Sequence, residues 1–251
     1  MRAERRAGIR WIAVAAVALA LACSVPASAA PTWVGGGGYD YYQGPGGQFT
    51  RSALGVVGGS LGGGSASLTL MRYSDNLSGD GMGYIGSLGA TLAPTASLRI
   101  WGSRFVGDDS LRAWRVKVGP MFAVGTGGTL GVFYTHAADN TGSHSDGGSA
   151  DLNLPIPTQQ QWSARAGVAY AVAPGVHAGQ GTVGLGFTPV HGLELTSDVG
   201  VAQNGALTTS PGPSHGKLLG GLLGGGQGGL RSTSSSSVET LFQLGVRVLL
   251  P

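Results

Sequence analysis

The chain has 251 residues, of which 48 are glycine and one is cysteine, and its formal net charge is +3. The glycines follow no Gly-X-Y period, which excludes collagen, and a single cysteine excludes a disulfide framework. Residues 1–29 hold four of the fifteen basic and one of the twelve acidic residues, so the remaining eleven of each cancel and the basic footprint of a nucleic-acid binder is missing.

Those first residues read as a secretion signal. Arg2, Arg5, Arg6 and Arg10 form a positive n-region, residues 11–23 are uninterruptedly apolar, and Ala27-Ser28-Ala29 is a small-x-small cleavage site. The apolar run is shorter than the roughly 20 residues of a spanning helix. Cleavage is expected after Ala29, which leaves 30–251 as the mature domain. A lipoprotein signal centred on Cys23 fits less well, because in Ala20-Leu21-Ala22 the leucine stands one place too late. Cys23 departs with the signal, so an exported chain would have no disulfide to rely on. A closed, hydrogen-bonded barrel in lipid is another source of stability.

Twelve strand-like runs follow, at 33–42, 49–61, 66–73, 82–92, 96–105, 111–124, 129–136, 149–154, 161–172, 179–188, 193–202 and 238–250. Successive side chains of a strand face opposite ways. In the sixth run Trp114, Val116, Val118 and Phe122 oppose Arg115, Lys117 and Gly119. In the ninth, Trp162, Val168, Tyr170 and Val172 oppose Ser163, Arg165 and Gly167. In the eleventh, Leu193, Leu195, Val199 and Val201 oppose Glu194, Thr196 and Asp198. The last alternates from Val238 to Leu250, with Glu239, Gln243, Gly245 and Arg247 on its polar side. A period of two and dense glycine argue against helix. Glycine weakens a strand in water, but it permits close backbone approach and leaves room on an inner wall.

The connections alternate in length. Ala93-Pro94-Thr95, the glycine-rich 125–128 and 189–192 are tight turns; 74–81, 107–110, 137–148 and the low-complexity loop 203–237 are long. Short turns at one end and long loops at the other are the mark of outer-membrane barrels, and an even strand number puts both termini on the short-turn side. The segment 203–237 reads as an exposed loop or as a Leu–Gly segment that dips into the barrel mouth.

On these alternating strands and unequal connections, the chain resembles bacterial outer-membrane β-barrel proteins. The resemblance implies an all-β fold, a closed antiparallel up-and-down transmembrane β-barrel of about twelve strands. It also implies outer-membrane lipid and the barrel insertion machinery as partners, and no cofactor. Members commonly end in an aromatic residue; this chain ends Val248-Leu249-Leu250-Pro251, with Phe242 the nearest aromatic.

Charges on the polar faces are expected to line the lumen, because Arg or Lys facing lipid at the midplane costs about 2–4 kcal/mol. The basic set is Arg99, Arg115, Lys117, Arg165 and Arg247; the acidic set is Glu194, Asp198 and Glu239. Arranged as opposed walls, they suit the passage of small polar solutes. Paired across a plugged interior, they hold a structural or adhesive barrel together instead. Trp33, Tyr39, Tyr41, Tyr42, Tyr73, Tyr84 and Tyr134 read as an interfacial girdle or a sugar-stacking platform. His144-Ser145-Asp146, with His136 and Asp139, is the cluster a rim hydrolase would use. A soluble secreted β-protein is the alternative outside membranes. Glycine runs at 35–38 and 62–64 lead into no helix, so they form no phosphate loop. The expectation is a non-enzymatic channel.

Overall fold

The computed structural model describes residues 32–43, 49–76, 79–107, 112–173, 176–203 and 238–250. The expected signal segment 1–29 and all but the first residue of the expected loop 203–237 lie outside them. Twelve strands run in chain order: β1 (Thr32–Gln43), β2 (Phe49–Leu61), β3 (Gly64–Asp75), β4 (Gly79–Ala93), β5 (Ala96–Gly107), β6 (Arg112–Val124), β7 (Gly128–Asp139), β8 (His144–Ile156), β9 (Gln159–Ala173), β10 (Val176–Val190), β11 (Leu193–Gln203) and β12 (Val238–Leu250). Each pairs antiparallel with its sequence neighbours, and β1 pairs with β12, which closes the barrel. The expected fold and strand number are those observed.

Alternation sorts the faces as the sequence reading requires. Leu68 and Leu70 on β3, Val168 and Tyr170 on β9, and Leu244, Val246 and Val248 on β12 are exposed on the outer surface. Their neighbours along the same strands, Thr69, Ala169, Gln243 and Arg247, are buried within. An apolar exterior that circles the molecule is far beyond the patches a soluble monomer shows. β12 has 13 residues. At about 3.4 Å per residue and a tilt near 40°, such a strand rises roughly 34 Å, more than the ~25 Å apolar band of an outer-membrane barrel.

Two departures from the sequence reading have local causes. β8 was expected over 149–154 but starts at His144. Its first turn of chain, His-Ser-Asp-Gly-Gly, has no apolar alternation to mark it, and pairing with β7 imposes the strand: Tyr134 faces Gly148 and His136 faces Asp146. The preceding loop shrinks to a tight connection. The Asp139 carboxylate accepts from Thr141 N (2.8 Å), Thr141 Oγ1 (2.6 Å) and Ser143 N (3.1 Å). Gly142 takes φ +91°, a left-handed backbone that favours glycine. The second departure is the girdle. Trp33, Tyr39, Tyr84 and Tyr134 are exposed outside, but Tyr42 and Tyr73 are buried at 5% and 6% exposure. Tyr41 and Tyr42 are consecutive in a strand, so only one of them can face lipid.

Candidate functional site: the inner wall of the barrel

The seam between the first and last strands carries a two-pronged, fully buried ion pair. Arg247 of β12 donates through both terminal nitrogens to Asp40 of β1, at 2.7 Å each. Both residues are almost fully enclosed, at 1% and 2% exposure. Two-pronged guanidinium–carboxylate bonds are among the strong hydrogen bonds of proteins. Glycines make the reach feasible. A Cβ on Gly38, opposite Arg247, would lie 2.8 Å from the arginine Cδ and Nη1; one on Gly245, opposite Asp40, would lie 2.7 Å from its carboxylate. The side chains lie flat across the neighbouring strand where no side chain stands. In the glycine run at 35–38, Gly38 therefore makes room for the guanidinium.

The same device repeats along the wall. Glu194 of β11 is directly opposite Arg247. Arg165 of β9, Gly184 of β10 and Asp198 of β11 form one register row, and the Asp198 carboxylate occupies the space a Gly184 side chain would need. Arg165 lies within electrostatic reach of Asp198, Glu194, Arg247 and Asp151. Asp151 of β8 in turn bonds the ammonium of Lys117 on β6 at 3.3 Å. Lys117 Nζ also sits 4.3 Å from the ring centre of Phe133 and 5.8 Å from that of Trp101, a cation–π arrangement. From β6 through β8, β9, β11 and β12 to β1, the signs run plus, minus, plus, minus, plus, minus.

Of the residues expected in the lumen, Lys117, Arg165, Asp198 and Arg247 are buried within the barrel, and Arg99, Arg115 and Glu194 are half-buried there. Glu239 is in β12 opposite Ala202, and its side chain lies outside the described residues. Arg99 donates to Ser65 Oγ at 2.9 Å and passes over Gly89. It stands in a different register row from Arg115. Arg99 is opposite Gly119, Arg115 is opposite Ser103, and the Lys117–Trp101 pair lies between them. Opposed basic and acidic walls are not what the strands build; the charges interleave. Three acids that matter were missing from the expected set: Asp40, Asp151 and Asp75, the last accepting from Thr50 Oγ1 at 2.5 Å. Their signal was present, since each has the parity of its strand's inward positions.

β2–β6 fill the interior differently. Met71, Tyr73, Ile85 and Phe105 form a buried cluster, with Leu54 and Ala113 packed against it. It lies toward the long-loop end, where Tyr73 and Phe105 meet edge to face at 6.4 Å.

The histidine cluster does not assemble a nucleophile. His144 and Asp146 are exposed on the outer face of β8, and Ser145 between them points the other way. His136 Nδ1 lies 2.8 Å from the Asp146 carboxylate, which also accepts from the Tyr134 hydroxyl, so the cluster is a surface network. Among the described residues no group of three or more His, Cys, Asp or Glu side chains is placed to hold a metal ion.

No protein-family model and no curated protein sequence matches the chain. Solved structures do resemble its fold. The NanC porin superposes with a TM-score of 0.56 at 10% identity, covering 86% of this chain and 98% of its own. The KdgM porin superposes at 0.54 with 11% identity, covering 86% and 98%, and a second structure of it, in complex with disordered oligogalacturonate, does so at 0.54, covering 84% and 98%. With its apolar exterior and closed seam, the chain has the fold of a bacterial outer-membrane β-barrel.

Proposed function

We propose that the barrel is a narrow passive channel for small polar solutes across the outer membrane. Arg99, Arg115, Lys117, Arg165, Glu194, Asp198, Glu239 and Arg247 line its path together with Asp40 and Asp151. The observation that carries this reading is the belt of charges turned inward on a closed barrel whose outside is apolar. Fixed charges facing a lumen replace part of a solute's hydration and set which ions pass. Because Arg247 and Lys117 are each bonded to a carboxylate, the wall is locally neutral. It suits small neutral or zwitterionic solutes better than a polyanion such as the oligogalacturonate held by the KdgM porin. Membrane insertion would use the barrel insertion machinery and place the long-loop end outside. Planar-bilayer recordings test the reading: small, weakly ion-selective conductance steps are expected. A folded, heat-modifiable protein that conducts nothing would refute it.

A second reading is favoured by the buried cluster around Met71 and Phe105. It makes the barrel a closed scaffold whose loops bind partners. The two readings part on Phe105→Ala, which opens conductance in a silent scaffold and merely enlarges it in a channel.

A further inference from the structure

We propose that the outer face of β2–β6, at the long-loop end, binds the phosphates of an anionic glycolipid of the outer leaflet. Arg51, Arg72, Arg104 and Arg112 all point outward there and all are exposed. Among the described residues they are the only outward-facing arginines or lysines, and every one is on β2–β6. At the same end of β7–β11 the outer positions include His136, His144, Asp146, His177 and Gln203, with no arginine or lysine among the described residues.

The height suits a headgroup. Arg104 is opposite Tyr84 and Trp114, two exposed interfacial aromatics, and Arg72 is opposite Met82. Aromatic rings of this kind settle where hydrocarbon gives way to headgroups. Inside the same stretch of wall is the apolar Met71–Phe105 cluster. The outer side of the wall there carries charge, where lower down it is apolar, as expected of strands that overshoot the hydrocarbon.

The spacing favours a lipid with two phosphates. Arg51 and Arg72 are diagonal neighbours on β2 and β3, and Arg104 and Arg112 are diagonal neighbours on β5 and β6. Arg72 and Arg112 share a register row through Met82 and Val106. Three strand spacings separate them, about 14 Å. Guanidinium forks bind phosphate oxygens in pairs. Asp80 is the only carboxylate on this outer face among the described residues, and it stands 3.9 Å from Arg72, whose side chain remains 77% exposed.

The folded chain in neutral detergent is titrated with lipid A, which carries two phosphates, with the same glycolipid stripped of phosphate, and with inorganic phosphate. Bound lipid is read by native mass spectrometry. Lipid A is expected to be retained about tenfold better than its stripped form. The triple variant R72Q/R104Q/R112Q loses that advantage, R72K/R104K/R112K keeps only the part due to charge, and Gln203→Ala leaves it unchanged. If the triple glutamine variant fails the heat-modifiability check of folding, R72Q and R104Q are used singly, each expected to lose about threefold. Equal retention of the stripped lipid, or full retention by folded glutamine variants, overturns the proposal. So does displacement by inorganic phosphate at concentrations matching the lipid's, which assigns the arginines to free phosphate. None of these readouts depends on conductance, so the outcome is separate from that of the channel reading.

Discussion

Across the middle of β8–β12 and β1 the interior is held by ions laid over glycines; toward the long loops it is filled by Met71, Tyr73, Ile85 and Phe105 on β3–β5 and, at the seam, by the smaller cluster of Tyr42, Ala202 and Leu241. The glycines of the first region stand beside charges: Gly38 under Arg247, Gly245 under Asp40, Gly184 under Asp198. In the second region Gly83 faces Met71 and Phe105, so the same small residue admits large apolar side chains. One closed sheet thus uses glycine to admit two kinds of filler. A charged filler must find its counter-ion, because removing one partner of a buried pair leaves an uncompensated charge. An apolar filler needs only volume.

This contrast can be broken at its strongest point by Gly38→Val. The new side chain takes the place of the Arg247 guanidinium, adding overpacking to the loss of a buried pair. A cost of about 5 kcal/mol, or failure to reach the heat-modifiable folded form, is expected in urea titrations followed by gel mobility. Asp40→Ala leaves Arg247 enclosed without its carboxylate and should cost about 3–5 kcal/mol. The double change D40L/R247M should recover most of that, since well-packed apolar replacements of buried pairs are often neutral. If the double variant is as unstable as Asp40→Ala, the seam depends on charge in a way the packing account does not provide. Phe105→Ala should cost about 3 kcal/mol and enlarge conductance without changing ion selectivity. Lys117→Met should do the opposite: with Asp151 left negative, the reversal potential shifts toward cations, roughly a twofold change in permeability ratio. Val168→Ala, on the outer face at 61% exposure, should change stability by less than about 1 kcal/mol.

Strand number, strand order and the inward parity of Lys117, Arg165, Asp198 and Arg247 were legible in the chain, because each rests on alternation within one strand. β8 was legible only in part, since 144–148 offers no apolar side to read. The interior acids were legible in parity but not in role. Asp40 sits between two tyrosines, Tyr39 and Tyr41, whose outward parity turns it inward, and nothing local names its partner on β12. Asp151 lies two strands from the lysine it meets, and no spacing in the sequence announces a contact across an intervening strand.

Alternation by itself determined which side chains turn inward and which outward, because the pleat of an extended chain is a local property that a one-residue slip would invert along a whole strand. The folded barrel alone decided who meets whom there. Closure of β1 on β12 brings together Asp40 and Arg247, 207 residues apart in the chain. The inter-strand register puts Gly184 between Arg165 and Asp198. Register and closure are set by all the strands together, so the pairing of charges is a property of the barrel rather than of any segment in it.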